Sequence, residues 1–247
     1  MFRKCVFILF GLVMMIALVS PETGESIPAF ARKYSLSCTT CHVAAPKLKA
    51  YGDEFAGNGF QLPDDDEPIR AFRDVGDDQL LLQRDLPLGI RFDAFGRYTS
   101  EGDVNGDFQS PFGLKILSGG NVAKDIGYYF YFYMNEKGEI AGVEDAYIHF
   151  NNIKGSSLDV LVGQFQICDP LFKRELRLTY EDYQIYRTRV GLSPANLTYD
   201  RGVVVSYDLP TKTNLVFQVV NGNGIKEAEN GLFDNDTNKN VFFKATQ

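Results

Sequence analysis

The sequence has no tryptophan, only two histidines and only four cysteines in 247 residues. A scaffold stapled by disulfides would need more cysteines in a shorter chain. The formal net charge is -7, which argues against a nucleic-acid partner because such binding needs a basic stripe. The chain is instead rich in phenylalanine and tyrosine, with 20 and 13 residues, most of them in its second half.

Residues 1–26 have the pattern of a cleaved export signal. Basic residues at 3–4 precede an apolar run over 5–19, and small or polar residues follow it. That run is too short to cross a bilayer comfortably, so we expect a Sec-type signal peptide cut within 20–26. The alternative is an uncleaved membrane anchor. After cleavage three cysteines remain, an odd number in an oxidising compartment.

Cys38, Cys41 and His42, in the stretch SCTTCH, match the attachment pattern of haem c. Haem c is held by two thioether bonds to cysteines separated by two residues, and the histidine after the second cysteine supplies the proximal imidazole. The motif therefore predicts one covalent haem, bound through Cys38 and Cys41, with His42 as the proximal iron ligand.

The rival chemistries each lack a requirement. A structural zinc site needs a fourth ligand, and the only other histidine is His149, far along the chain. A thioredoxin-like cysteine pair would open a helix after a strand in an α/β domain, and no such unit surrounds the motif. The third cysteine, Cys168, is expected to be a small residue at a strand end.

The flanks of the motif predict a small α-helical module over 27–60. Leu48, Tyr51 or Gly52, and Phe55 fall on one side at helical spacing, and Gly57 and Gly59 close the helix. So short a module cannot form its own core, and we expect it to pack against the rest of the chain. Residues 61–79, acidic and punctuated by proline, are predicted to form an exposed linker.

Residues 80–247 change to an alternation of apolar and polar residues with a period of two. The alternating segments are separated by predicted turns such as Asn105-Gly106, Gly119-Gly120 and Lys137-Gly138. Segments of about ten residues with this alternation are typical of an outer-membrane β-barrel, whereas the alternative is a soluble β-sandwich. The predicted fold class is thus mainly β, a porin-like antiparallel barrel, with outer-membrane lipid as its surroundings. The predicted strands are 86–98, 112–119, 126–135, 142–151, 157–167, 183–192, 202–209, 213–221 and 240–247.

Nine segments are an odd number, whereas single-chain bacterial barrels close with an even one. The last segment also stops part-way along an apparent strand. These two features predict that the barrel is incomplete and that the chain is a C-terminally truncated fragment. A small closed barrel is the alternative.

An export signal, the stretch PAFARKYSLSCTTCHVAAPKLKAYGDEF and a porin-like region follow one another in that order. This order resembles the fused monohaem cytochrome–porin family, whose best-known members are outer-membrane iron-oxidising cytochromes. The resemblance implies transfer of single electrons across the outer membrane through haem c. It also implies an extracellular donor such as Fe(II) and a periplasmic carrier such as a soluble cytochrome c.

The sequence does not identify the residue that supplies the sixth ligand of the iron. The alternation places His149 with Asp145 and Tyr147 on the lumen side, so His149 is a hypothetical distal ligand; the alternative is a lumen histidine hydrogen-bonded to carboxylates. Met134 is predicted to face lipid, and Lys47 and Lys49 lie on the proximal side.

The acidic residues over 64–67 either attract cations or simply keep the linker solvated.

Two other classes of function remain open. The first is a porin that passes small solutes, with the cytochrome module as a structural plug. The second is a soluble periplasmic c-type cytochrome with a β-rich domain. A thiol–disulfide enzyme is the weakest reading of the motif.

Overall fold

The protein is mainly β, with an eight-stranded antiparallel sheet as its principal element. The structure, a computed structural model, describes residues 30–31, 34, 36–44, 46–62, 72–73, 82–83, 87–100, 106–167, 181, 184, 191, 198–225 and 229–247. The mainly β, antiparallel part of the predicted fold class is therefore confirmed. The predicted signal peptide, the acidic stretch 64–67 and Cys168 lie outside the described residues.

Short elements form the N-terminal part of the described chain. They are α1 (Cys38–Cys41), β1 (His42–Ala44), β2 (Lys47–Leu48), α2 (Ala50–Gly57), β3 (Phe72–Arg73) and β4 (Leu82–Gln83). The helix predicted after the motif thus exists but begins at Ala50. Leu48 lies before it, in a strand that pairs with β1. Among the described residues, no helix is long and apolar enough to cross a membrane.

The large sheet follows the chain strand by strand, each pairing with the next. One turn of 3₁₀ helix, Ile153–Gly155, lies in the connection between the strands Gly142–Phe150 and Leu158–Gln166. The strands are β5 (Leu88–Tyr98), β6 (Gly106–Ala123), β7 (Ile126–Glu136), β8 (Gly142–Phe150), β9 (Leu158–Gln166), β10 (Tyr199–Asp208), β11 (Asn214–Val220) and β12 (Asn240–Thr246).

Eight of the nine predicted segments coincide with strands of this sheet, with ends shifted by a few residues in most cases. The remaining segment, 183–192, falls almost entirely outside the described residues. One turn prediction is wrong: Gly119-Gly120 lies inside β6, which continues to Ala123. A Cβ at Gly119 would meet the Tyr129 ring at 2.9 Å and the Phe60 ring at 3.3 Å, so this glycine makes room for side chains.

One face of the sheet is apolar and exposed; we call it the apolar face. Cross-strand partners keep it continuous, since Phe150 lies opposite Val160, Val160 opposite Val205, and Phe217 opposite both Val205 and Phe243. Large side chains on it are open to the surroundings, such as Phe92 at 58% and Phe243 at 68%. Others on this face are Ile90, Phe130, Met134, Ile148, Val162, Val203, Phe217 and Val241.

The opposite face, which we call the docking face, carries buried polar groups among aromatic rings. Lys115 is buried, and its Nζ lies 4.2 Å from the centre of the Tyr133 ring. Asp145 and Asp200 are buried as well, and Arg91 Nε donates to Asp93 Oδ1 at 2.9 Å. A soluble sandwich buries its apolar face and exposes its polar one. Here the polarity is reversed.

The N-terminal module packs on the docking face through aromatic contacts. Phe60 stacks on Tyr129 with ring centres 5.7 Å apart, and it also lies against Phe30 and Phe55 of the module. The core on this face consists of Phe60, Leu117, Tyr129, Tyr131 and Tyr133. The expectation that the module packs against the rest of the chain is confirmed.

Candidate haem-attachment site

Helix α1 places the two thiols of the motif on one helical turn. Ser37 caps the turn, because its Oγ accepts the Thr39 backbone N–H at 3.3 Å. Cys38 and Cys41 are then three residues apart, a spacing that puts side chains on the same side of a helix. Both thiols are free and partly buried. The two thiols therefore lie on the same side of the helical turn.

His42 ends the turn in an extended conformation, and its ring is held by a backbone carbonyl. The distance from His42 Nδ1 to the Pro46 carbonyl oxygen is 3.2 Å. A carbonyl can only accept a hydrogen bond, so in the neutral ring Nδ1 carries the proton and the lone pair is on Nε2. Metal-binding histidines are oriented in this way by the partner of their other nitrogen. The ring is thus prepared to ligate a metal through Nε2.

Two residues behind the motif fix the turn in place. The Lys49 backbone N–H donates to the Cys41 carbonyl at 2.8 Å, and its side-chain Nζ donates to the Thr39 carbonyl. Gly52 of α2 is buried, and a Cβ there would lie 2.6 Å from the Cys41 carbonyl oxygen. The absence of a side chain at Gly52 therefore lets α2 lie directly against the motif.

The environment of Cys41 is that of a protonated thiol. Burial raises the pKa of this thiol, the neighbouring Cys38 raises it further, and Lys49 lowers it only in part. Thiol–disulfide enzymes depend on cysteines whose pKa is lowered, because the thiolate is the nucleophile. Cys41, with its raised pKa, is therefore not suited to be the attacking thiol.

Within the described residues, no group of three or more His, Cys, Asp or Glu side chains is placed to hold a metal ion. A zinc ion needs its ligands to converge on one point. Haem c does not need this convergence, since its cysteines bind the porphyrin edge and only the histidine reaches the iron. Two cysteines separated by two residues, with a histidine directly after the second, are the donor set that haem c attachment uses.

His149 lies on the docking face, at the other end of α2 from the motif. Its Nε2 is 3.9 Å from Asp159 Oδ2, and its cross-strand partner is Gly127. Gly127 lies against Gly59, which lies just after the end of α2. The motif lies at the start of the helix, where Cys41 contacts Gly52. The two ends are roughly 10 Å apart along the helix axis. His149 is buried on the docking face, which also carries Asp145.

The other candidate ligands occupy different positions. Met134 is 43% exposed on the apolar face, on the side away from the module, as the alternation predicts. Lys47 and Lys49 are exposed residues beside the motif, and Lys49 is engaged with its turn. Sequence reasoning missed the supporting roles of Pro46, Lys49 and Gly52. A glycine on the apolar side of a short helix was the one available signal, since it indicates close packing.

Comparisons with family models, curated proteins and solved structures found no match to the chain.

Gly52→Ala should separate α2 from the motif. The added methyl would overlap the Cys41 carbonyl and the Leu48 side chain, so we expect a loss of about 1–3 kcal/mol in unfolding free energy and less haem bound per polypeptide. Gly57→Ala is the matched control, because a Cβ there meets nothing within 4 Å. Denaturant unfolding and haem absorbance measure the two effects. Equal behaviour of the two variants would contradict the packing role of Gly52.

Proposed function

We propose that this protein is an outer-membrane c-type cytochrome that transfers single electrons across the membrane through one covalent haem. The observation that carries the proposal is the Cys38–Cys41–His42 turn on a module packed against the polar face of a sheet whose other face is apolar and exposed. A redox group and a membrane-compatible surface then belong to one unit. The order of these parts resembles the cytochrome–porin family.

The proposed membrane part is a porin-like barrel with the apolar face toward lipid and the docking face inside. Outer-membrane barrels have this polarity, with an apolar outer band and a polar interior. Among the described strands, β5 and β12 pair on one side only. Eight strands enclose little more than side chains, so the barrel that surrounds the module includes more strands than these eight.

The residues of the site each have a part in binding the haem. Cys38 and Cys41 would form the thioethers, His42 would bind the iron through Nε2, and the Pro46 carbonyl would keep the ring oriented. The bound haem supplies reversible one-electron chemistry at its iron. The chain supplies position and a low-dielectric setting, which tune the potential. Fe(II) outside and a soluble cytochrome c in the periplasm are the proposed donor and acceptor.

The test is expression with the signal peptide in a bacterium that has the cytochrome c maturation machinery. Membrane and soluble fractions are run on a denaturing gel and stained for haem peroxidase activity. We expect a haem-stained band of the right mass in the outer-membrane fraction. Haem in the soluble fraction would favour the periplasmic cytochrome, and a well-expressed membrane band without haem would favour the porin.

A charge on the apolar face should prevent membrane assembly. Phe217 is 44% exposed in the middle of β11, and arginine at the bilayer midplane costs about 2–4 kcal/mol. Phe217→Arg should therefore lower the fraction of chain that folds into lipid vesicles. Thr211→Arg, in the exposed turn before β11, is the control and should fold normally. If both variants assemble like the parent, this face does not meet lipid.

His149 remains the proposed distal ligand for the iron. It lies on the docking face, which carries the module, but at the end of α2 away from the motif, and Asp159 offers the competing role of a charged partner. His149→Ala should change the absorption spectrum of the oxidised haem if His149 binds iron. An unchanged spectrum would end this assignment and leave His149 as a structural partner of Asp159.

A further inference from the structure

The connections at the two ends of the sheet differ in length. At one end lie the connections 124–125, 151–157 and 209–213, together with the start of β5. At the other end lie 99–105, 137–141 and the two longest stretches of chain between strands of the sheet. These are 167–198, most of which lies outside the described residues, and 221–239. We call the two ends the short-turn end and the long-loop end. Antiparallel strands alternate in direction, so this grouping follows from the strand order alone.

The module is fastened at the short-turn end by its residues Asn58–Phe60. Asn151 Nδ2 donates to Asn58 Oδ1 at 2.6 Å, and Asn152 Nδ2 does so at 3.4 Å. Both asparagines begin the connection between β8 and β9. These contacts hold the end of α2 at the rim of the sheet.

The neighbouring backbone is shaped to receive the same residues. Gly127, two residues into β7 after the shortest turn, lies so close to Gly59 that a Cβ would meet the Gly59 carbonyl oxygen at 2.9 Å. Phe60 then reaches Gly119 and Tyr129 on the docking face. Gly127, Gly119 and the Tyr129 ring thus contact the segment Asn58–Phe60. We call this segment the anchor.

In outer-membrane barrels the short turns face the periplasm and the longer loops face outward. Resting on the proposed function, we propose that the anchor mounts the haem module at the periplasmic mouth of the barrel. The module's partner there is a small soluble one-electron carrier of the periplasm. The long-loop end faces the outside and receives the extracellular donor.

Site-specific labelling of intact cells tests this orientation. The parent is Cys168→Ser, in which Cys38 and Cys41 are blocked by the haem in haem-loaded protein. One further cysteine at a time is added at Lys154 or Thr211 on the short-turn end, at Asn235 or Thr237 on the long-loop end, or at Glu54 in the module, all exposed. A maleimide on a large polymer, unable to cross the outer membrane, is the probe. Two positions at each end guard against a variant that does not fold.

We expect the long-loop cysteines to react in intact cells, and those at Lys154, Thr211 and Glu54 to react only after the outer membrane is permeabilised. Reaction of Lys154→Cys and Thr211→Cys in intact cells would overturn the orientation. Reaction of Glu54→Cys alone would overturn the periplasmic placement of the module. Haem staining of the same samples is read separately, so a missing haem refutes the proposed function without deciding the orientation.

Discussion

Serine in place of both Cys38 and Cys41 is expected to abolish covalent haem altogether. The two thiols are the only described cysteines, and they share one helical turn. Without them no thioether can form, so the haem stain on a denaturing gel should fall to background while the polypeptide remains. Each single serine variant should keep some haem through the other thioether, with a shifted absorption band.

The Cys168→Ser variant is the matched control for this experiment. Cys168 lies outside the motif, and serine there should leave the haem content of the chain unchanged. Haem that survives denaturation in the double variant would contradict the attachment site. Loss of haem in Cys168→Ser would show that the cysteines had been assigned the wrong roles.

Removing the Phe60 ring should release the module from the sheet. Phe60 is 8% exposed and stacks on Phe30 of the module and on Tyr129 of the sheet. Truncating a buried phenylalanine to alanine costs about 3–5 kcal/mol, and here that cost falls on the module's contact with the sheet. We expect Phe60→Ala to speed protease cleavage within the module, over residues 46–62, and to lower haem retention after mild denaturant.

Two further variants sharpen this prediction. Gly127→Val places a side chain against Gly59 and should release the module without touching Phe60. Phe108→Ala is the control, since Phe108 is 94% exposed and its truncation should change neither cleavage nor haem retention. If Phe60→Ala is cleaved no faster than Phe108→Ala, the aromatic stack does not hold the module.

The strands were predictable because alternation is a local property of the sequence. In β7, Phe130 and Met134 fall on one face and Tyr129 and Tyr131 on the other, as the period of two requires. The alternation also placed Asp145, Tyr147 and His149 on one face, and all three lie on the docking face. It could not show that an aromatic-rich module fills that side, since this depends on contacts between residues far apart in the chain.

Glycine residues show why some features of the sheet and of the site were not predicted. A Gly-Gly pair usually indicates a turn, yet Gly119-Gly120 continues β6 because Phe60 and Tyr129 need the space. The residues of the motif could be named from the sequence because their spacing is that of haem c attachment. The supports of the motif could not, because the His42–Pro46 hydrogen bond and the Gly52–Cys41 contact arise only when the chain folds back on itself.

The most direct test of electron transfer uses liposomes that hold the haem-loaded protein and enclose an oxidised soluble cytochrome c and a small fluorescent dye. Ferrous iron held in a chelate that cannot cross the membrane is added outside, and the absorbance of the enclosed cytochrome is followed. We predict its reduction with the parent chain and none with Cys38→Ser/Cys41→Ser, while the dye is retained. An enclosed cytochrome that stays oxidised beside a fully haem-loaded parent chain would contradict the account.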